Sequence, residues 1–196
     1  MNEQQATNLL YEALETELGG EQIYMQALEC VKNSDLKEEW EKYLEETKHH
    51  QEILLKAFDT WGLEANRETP GRKVVRTNAE ALLTMMKMAK KEAPDSAEIV
   101  AAECVTLAET KDHLNWELIG MLGEKTRGEK GKALKEAYAE VEDQEDEHFY
   151  HTKGWTRELW IESLGMPSVI PPPEEEKSVK TAIGAARAEQ AREKML

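Results

Sequence analysis

Cysteine, phenylalanine and proline are scarce in this chain: two, two and six among 196 residues. Cys30 and Cys104 stand far apart and form no Cys-x-x-Cys, which argues against a disulfide framework, a zinc ribbon or a rubredoxin-type metal site and suits a reducing compartment. Basic charge is short as well. The formal net charge of -15 opposes phosphate contact, so neither nucleic acid nor an anionic membrane is an expected partner. No window holds about 18 uncharged apolar residues, and the opening MNEQQATNLLYEALETEL lacks the basic-then-apolar layout of an export signal. A soluble, unprocessed, cytoplasmic protein is expected.

What is abundant is Glu, Ala, Leu, Lys and Met, a composition that favours helix over strand. Steps alternating between four and three residues mark the core-facing stripe of a helix. The first stripe runs Leu10, Leu14, Glu17, Glu21, Tyr24, Leu28, Val31. After a break at Asn33-Ser34-Asp35, with Asp35 and Glu38 as a capping-box signal, a second helix carries Leu36, Trp40, Tyr43, Glu46, His50, Ile53, Ala57 and Trp61 near one face, with His49 beside them, and stops at Gly62. Residues 63–76, containing Pro70-Gly71, show no helical period and read as a crossing loop. Thr77 then opens a shorter helix rich in Met85, Met86 and Met88 that ends before Pro94, the methionines being core filler. A third long helix, starting near Asp95 or Ser96 with Glu98 to complete a capping box, shows Ile99, Ala102, Val105, Glu109, Trp116 and Ile119. After the turn GEKTRGEKG the fourth shows Leu134, Tyr138, Val141, Glu145, His148, Thr152, Trp155 and Leu159. The expected architecture is all-α, with residues 1–165 as one bundle and 166–196 as a Pro-rich linker and an Ala-rich helical tail. The charge-balanced tail has a thin apolar edge, Val179 and Ile183, suited to docking on a neighbouring subunit if it is not mobile.

Acids in the middle of core stripes are the informative anomaly. In an antiparallel hairpin, two residues share a level when they are equidistant from the turn. Glu17, or equally Glu21, lies level with the Glu46–His49 pair, and Glu109 lies level with Glu145–His148. The halves rhyme further: Tyr24 follows Glu17 at the interval at which Trp116 follows Glu109, and each partner helix supplies a Glu-x-x-His, ETKH and EDEH. Glu is so common here that one Glu-x-x-His would mean little; two, each on a core stripe and each opposite another stripe acid, are a pattern. Residues at i and i+3 share a helix face, so two such pairs plus two single Glu can converge. Four ionised carboxylates in a water-poor interior repel unless cations compensate them, and two divalent ions would balance the charge. The same Glu plus Glu-x-x-His arrangement occurs in di-iron and di-manganese helical bundles.

With Glu-x6-Tyr on the first helix and Glu-x-x-His on the second, repeated with variation in the third and fourth, the sequence over about residues 5–160 resembles the rubrerythrin-like branch of the ferritin-like superfamily. That resemblance implies a ferritin-like antiparallel four-helix bundle with a long crossover between helices 2 and 3. It also implies Glu17, Glu46, His49, Glu109, Glu145 and His148 as the metal ligands, preferring Glu17 to Glu21. Trp116 departs from the usual Tyr, and the cysteines of an attached rubredoxin domain are missing. Glu21 and His113 are candidates for an extra ligand or an orienting group, Asp112 for a surface or redox-switchable carboxylate, and His50 and His151 for outer or surface groups. Tyr24 and Tyr138 read as core fillers with bonded hydroxyls. One His per metal among carboxylates suits iron, or manganese, better than zinc or copper. The resemblance implies two Fe ions and a non-haem oxidoreductase reacting with hydrogen peroxide or dioxygen, in a homo-oligomer, with an electron donor that the residues do not reveal. Iron storage and manganese catalase-like chemistry are the alternatives.

Overall fold

A computed structural model describes residues 2–177 and 179–196. Among them the chain forms seven helices and no strand: α1 (Glu3–Leu28), α2 (Ser34–Trp61), α3 (Pro70–Glu92), α4 (Ala97–Lys125), α5 (Gly128–Ser163), α6 (Pro173–Glu176) and α7 (Ala182–Arg192). The four long helices pack as a bundle, α1 against α2 and α4, and α5 against α4 and α2, with α3 laid along α1 and α4.

Hydrogen bonds between turns fix which ends meet. At one end, Glu98 in the first turn of α4 accepts from the Lys32 and Asn33 backbone N–H groups of the α1–α2 turn, at 2.8 and 2.7 Å. At the other, the Trp61 indole at the end of α2 donates to the Lys130 carbonyl at the start of α5. α3 therefore carries the chain from the second end back to the first.

Several element boundaries differ from the sequence reading, each for a local reason. Asn33, not Asp35, caps α2, its side chain accepting from the Asp35 and Leu36 N–H groups. Glu98 is spent on the neighbouring turn rather than on its own cap, and Ser96 makes no side-chain cap bond. The stretch read as a crossing loop is largely helix: Thr69 caps α3, its hydroxyl accepting from Arg72 N–H, and Pro70 occupies the first turn. Proline is tolerated there because the first N–H groups of a helix have no intrahelical partner. Arg72 holds this start down, donating to Glu15 at 2.6 Å and to the Ala65 and Arg67 carbonyls. Thr77, read as a cap, lies inside α3 with its hydroxyl bonded to the Lys73 carbonyl. Of the three methionines, Met86 is buried while Met85 and Met88 are exposed. The Gly-rich turn shrinks to Thr126-Arg127, because Gly128 takes φ +73° and Gly131 lies so close to Thr126 that a Cβ would fall 2.0 Å from its carbonyl oxygen. No side chain fits there.

The core is two apolar masses separated by an ionisable layer. One contains Tyr24, Leu36, Trp40, Tyr43, Met86, Val105 and Trp155; the other contains Leu10, Leu14, Leu54, Phe58, Trp116, Ile119 and Leu134. Each fully buried large apolar side chain contributes about 1.5–3 kcal/mol, which lets the bundle carry a costly polar layer between the two masses.

The tail docks on its own chain. Glu174, 2% exposed, accepts from Arg157 at 2.6 and 2.9 Å, Arg192 reaches Glu158 at 2.8 Å, and Val179, Ala185 and Ala188 pack on Tyr150. Of the expected apolar edge, Val179 is buried and Ile183 is exposed.

Candidate metal centre

The polar layer is built from one or two residues of each long helix. α1 supplies Glu17, α2 His50, α4 Glu109 and Asp112, and α5 Glu145 and His148; all six are at least nine-tenths buried. Donor atoms fall into two groups whose members lie within 4.8 Å of one another, Glu17–His50–Glu145 and Glu109–Glu145–His148. Glu145 belongs to both. Its Oε1 lies 3.0 Å from His50 Nδ1 and 3.8 Å from His148 Nδ1.

Both imidazoles are oriented the same way. His50 Nε2 meets Gln144 Oε1 at 2.8 Å, and His148 Nε2 meets Glu46 Oε2 at 2.9 Å. Those oxygens can only accept, so in each ring Nε2 carries a hydrogen and Nδ1 is turned towards the carboxylates. Outer partners of this kind fix the tautomer and aim of metal-binding histidines. The rings stack, with centroids 5.6 Å apart. Trp116 donates its indole N–H to Glu17 Oε1 at 2.7 Å and so anchors a carboxylate of the layer.

Compensation within the protein is incomplete. Glu17 Oε2, Glu109 Oε2, Asp112 Oδ1, both Glu145 oxygens and His50 Nδ1 are buried without a hydrogen-bond partner. Burial, reinforced by neighbouring carboxylates, pushes Glu109 and Asp112 well above the usual carboxylate range and raises Glu17 despite the opposing influence of His50. For His50, burial favours the neutral ring, but Glu17 and Glu145 outweigh it and hold the imidazole well above its ordinary value. Burial lowers His148. Buried polar atoms are rarely left unpaired. A set of unpaired carboxylate oxygens facing two imidazole nitrogens is a donor set that divalent cations fit, and either protons or cations must supply the missing positive charge.

Of the six residues read as ligands, the structure brings together Glu17, Glu109, Glu145 and His148. Glu46 sits on the far nitrogen of His148, also 3.6 Å from Lys42. His49 is not in the layer; its side chain is 46% exposed and faces Glu140 and Glu52. His50, read as an outer group, takes the inward place. The reason is helical phase: the buried line of α2 runs Leu36, Trp40, Tyr43, Thr47, His50, Leu54, Ala57, Trp61, and His49 is one residue, about 100°, off it. The four-and-three stripe already contained His50, and that was the signal for it. Glu21 pairs with Gln51, and His113 pairs with Asp146 at 2.7 Å, both outside the two donor groups. Tyr24 is buried beside His148, and its hydroxyl faces the Glu109 carboxylate.

Exchanging each of the adjacent histidines tests this phase directly. If the layer takes up Co2+, His50→Ala is expected to weaken that binding by more than about 100-fold, ligand loss exceeding the loss of an orienting partner. His49→Ala should change it by less than about threefold, an exposed side chain contributing little. Equilibrium dialysis of the two variants reads both values, and equal effects would contradict the assignment of His50.

Searched against protein-family models, curated proteins and solved structures, the chain has no match.

Proposed function

We propose that the chain is a non-haem dinuclear metal protein of the rubrerythrin-like kind, holding two iron ions between Glu17–His50–Glu145 and Glu109–Glu145–His148 and reducing a small oxidant, hydrogen peroxide ahead of dioxygen. In this reading the long helices form a ferritin-like bundle in which the 62–96 segment with α3 is the crossover. The observation that carries the proposal is a single buried carboxylate, Glu145, shared by two donor groups in which Glu17 Oε2, His50 Nδ1, Glu109 Oε2 and both Glu145 oxygens lack a hydrogen-bond partner.

Iron held there would supply the two electrons that cleave an O–O bond. The protein contributes placement and exclusion. Gln144 and Glu46 set the two rings, and Trp116 steadies Glu17 while Glu17 Oε2 stays unbonded. Glu145 and Glu109 keep oxygens without hydrogen-bond partners, so these carboxylates are free to change partner as charge changes. The apolar masses above and below keep water out. A dent lined by His113, Trp116, Tyr138 and Asp146 reaches Glu145 and is only about 10 Å³, roughly the space of one water. That size favours an oxidant of one or two heavy atoms over an organic substrate.

Anaerobic titration with ferrous ion, followed by oxidation with peroxide or dioxygen in stopped flow, tests the reading. Saturation of the layer at two irons and oxidation at least about tenfold faster with peroxide, equivalent to ~1.4 kcal/mol in barrier, is the expected result. Many irons per chain would replace the proposal with storage. Peroxide disproportionation by a manganese-loaded sample, with a slow iron-loaded one, would replace it with catalase-like chemistry.

A further inference from the structure

A second, separate group of donors lies between the bundle and the tail. Glu39 of α2, His151 of α5 and Glu175 of α6 bring ligand atoms within 4.8 Å of one another. Glu39 and His151 are 8% and 7% exposed. Three oxygens crowd one nitrogen: His151 Nδ1 is 3.0 Å from Glu39 Oε1, 3.0 Å from Glu175 Oε2 and 3.2 Å from the Tyr43 hydroxyl. One N–H cannot satisfy them all, and Glu175 Oε2 and His151 Nε2 have no hydrogen-bond partner. Glu39 is held rigidly for a further ligand, since Trp155 donates to its Oε2 at 2.6 Å and the Tyr43 hydroxyl donates to its Oε1.

The cluster opens onto a cleft of about 620 Å³ whose walls add Asp35, Glu38 and Glu147 against Lys42. Acidic walls concentrate cations at the mouth. The open side of the cluster leaves room for water to complete a coordination shell, and an imidazole with two carboxylates suits a transition-metal dication better than Mg2+ or Ca2+, which prefer all-oxygen sets.

We propose that Glu39, His151 and Glu175 form a third, mononuclear site for a divalent transition-metal ion, with one ligand supplied by the C-terminal tail. The site is distinct from the dinuclear layer, from which the Tyr43 ring separates it; that ring lies 4.1 Å, centroid to centroid, from His148. Because Glu175 comes from α6, an ion here also fastens the tail to α2 and α5. In its absence a proton on His151 serves the same contacts, so the ion and the proton compete for Nδ1.

Co2+, which is redox-stable and coloured, is the probe. Full-length protein titrated at neutral pH is expected to bind three ions per chain, and Glu175→Gln two, with the affinity for the third ion falling at least tenfold. Glu175 is on the periphery, so this variant does not threaten folding; His151→Gln should give the same loss. Glu145→Ala is expected to lose the central ions and keep the one at Glu39–His151–Glu175. If wild type binds one ion that Glu175→Gln removes and Glu145→Ala does not, the third site stands and the dinuclear reading fails. If Glu175→Gln and His151→Gln both bind Co2+ as wild type does, the cluster is an imidazolium bridge only and the proposal is overturned.

Discussion

If the layer holds the two proposed ions, Glu145→Ala is expected to abolish both at once. Among the described residues no other side chain belongs to both donor groups, so its loss would open each coordination set and also remove the negative charge that favours two dications lying close together. Losing one ligand of a buried site lowers metal affinity by more than the 10–100-fold typical of outer partners, and with both ions affected the central occupancy should fall from two to below about 0.2 per chain at micromolar metal. Glu109→Ala, by contrast, touches one group and should leave about one ion. Metal analysis after gel filtration distinguishes the two cases. Equal retention of central metal in Glu145→Ala and Glu109→Ala would mean that the ions do not share Glu145.

The second large effect concerns stability without metal. Asp112 is 5% exposed, has an unpartnered Oδ1 and is pushed well above the carboxylate range by burial and by Glu17, Glu145 and Glu109. Keeping it in the layer is unfavourable whether it is charged or protonated. Asp112→Ala, within α4, is expected to stabilise the metal-free chain by about 1–3 kcal/mol, roughly 2–12 °C in Tm for a chain of this size. A fall in Tm would show that Asp112 is an anchor rather than a burden.

The same layer sets a pH dependence. Glu17, Glu109, Asp112 and His50 all have folded-state values raised above their ordinary ones. The folded chain therefore binds protons that the unfolded chain releases. The stability those protons support is complete below the unfolded values and is lost as pH rises through the raised ones. His148, lowered by burial, works in the opposite direction but is a single group. Metal-free protein should thus melt several degrees lower at about pH 8 than at about pH 5.5. Saturating metal should reverse the trend, because cations bind the deprotonated donors and compete with protons. Differential scanning calorimetry with and without chelator reads both slopes; parallel slopes would contradict the account.

Much of this was legible in residue order. The four-and-three stripes located all four long helices, and acids at their centres located the layer, because a helix has a fixed period and a charge on a buried stripe is costly enough to stand out. Glu109, Glu145 and His148 were found in this way, and Glu17 up to the choice between it and Glu21, which the resemblance made. His50 was on the stripe as well, yet the Glu-x-x-His spacing at 46–49 preferred His49, whose ring is half exposed. Pro70-Gly71 looked like a turn because the same dipeptide suits a turn and the first turn of a helix; only the buried Arg72 contacts with Glu15 and the Ala65 carbonyl decide for helix. The Glu39–His151–Glu175 cluster left no trace in the sequence, its members being scattered over α2, α5 and α6.

An all-helical chain with a polar layer between two apolar masses follows from local periodicity and from the cost of burying charge, and both can be read without coordinates. Which of two adjacent histidines faces the layer, which nitrogen each ring presents and where the tail comes to rest depend on helix phase and on partners distant in sequence. Those were settled by packing, since a rotation of 100° about a helix axis leaves residue spacing unchanged and alters every contact.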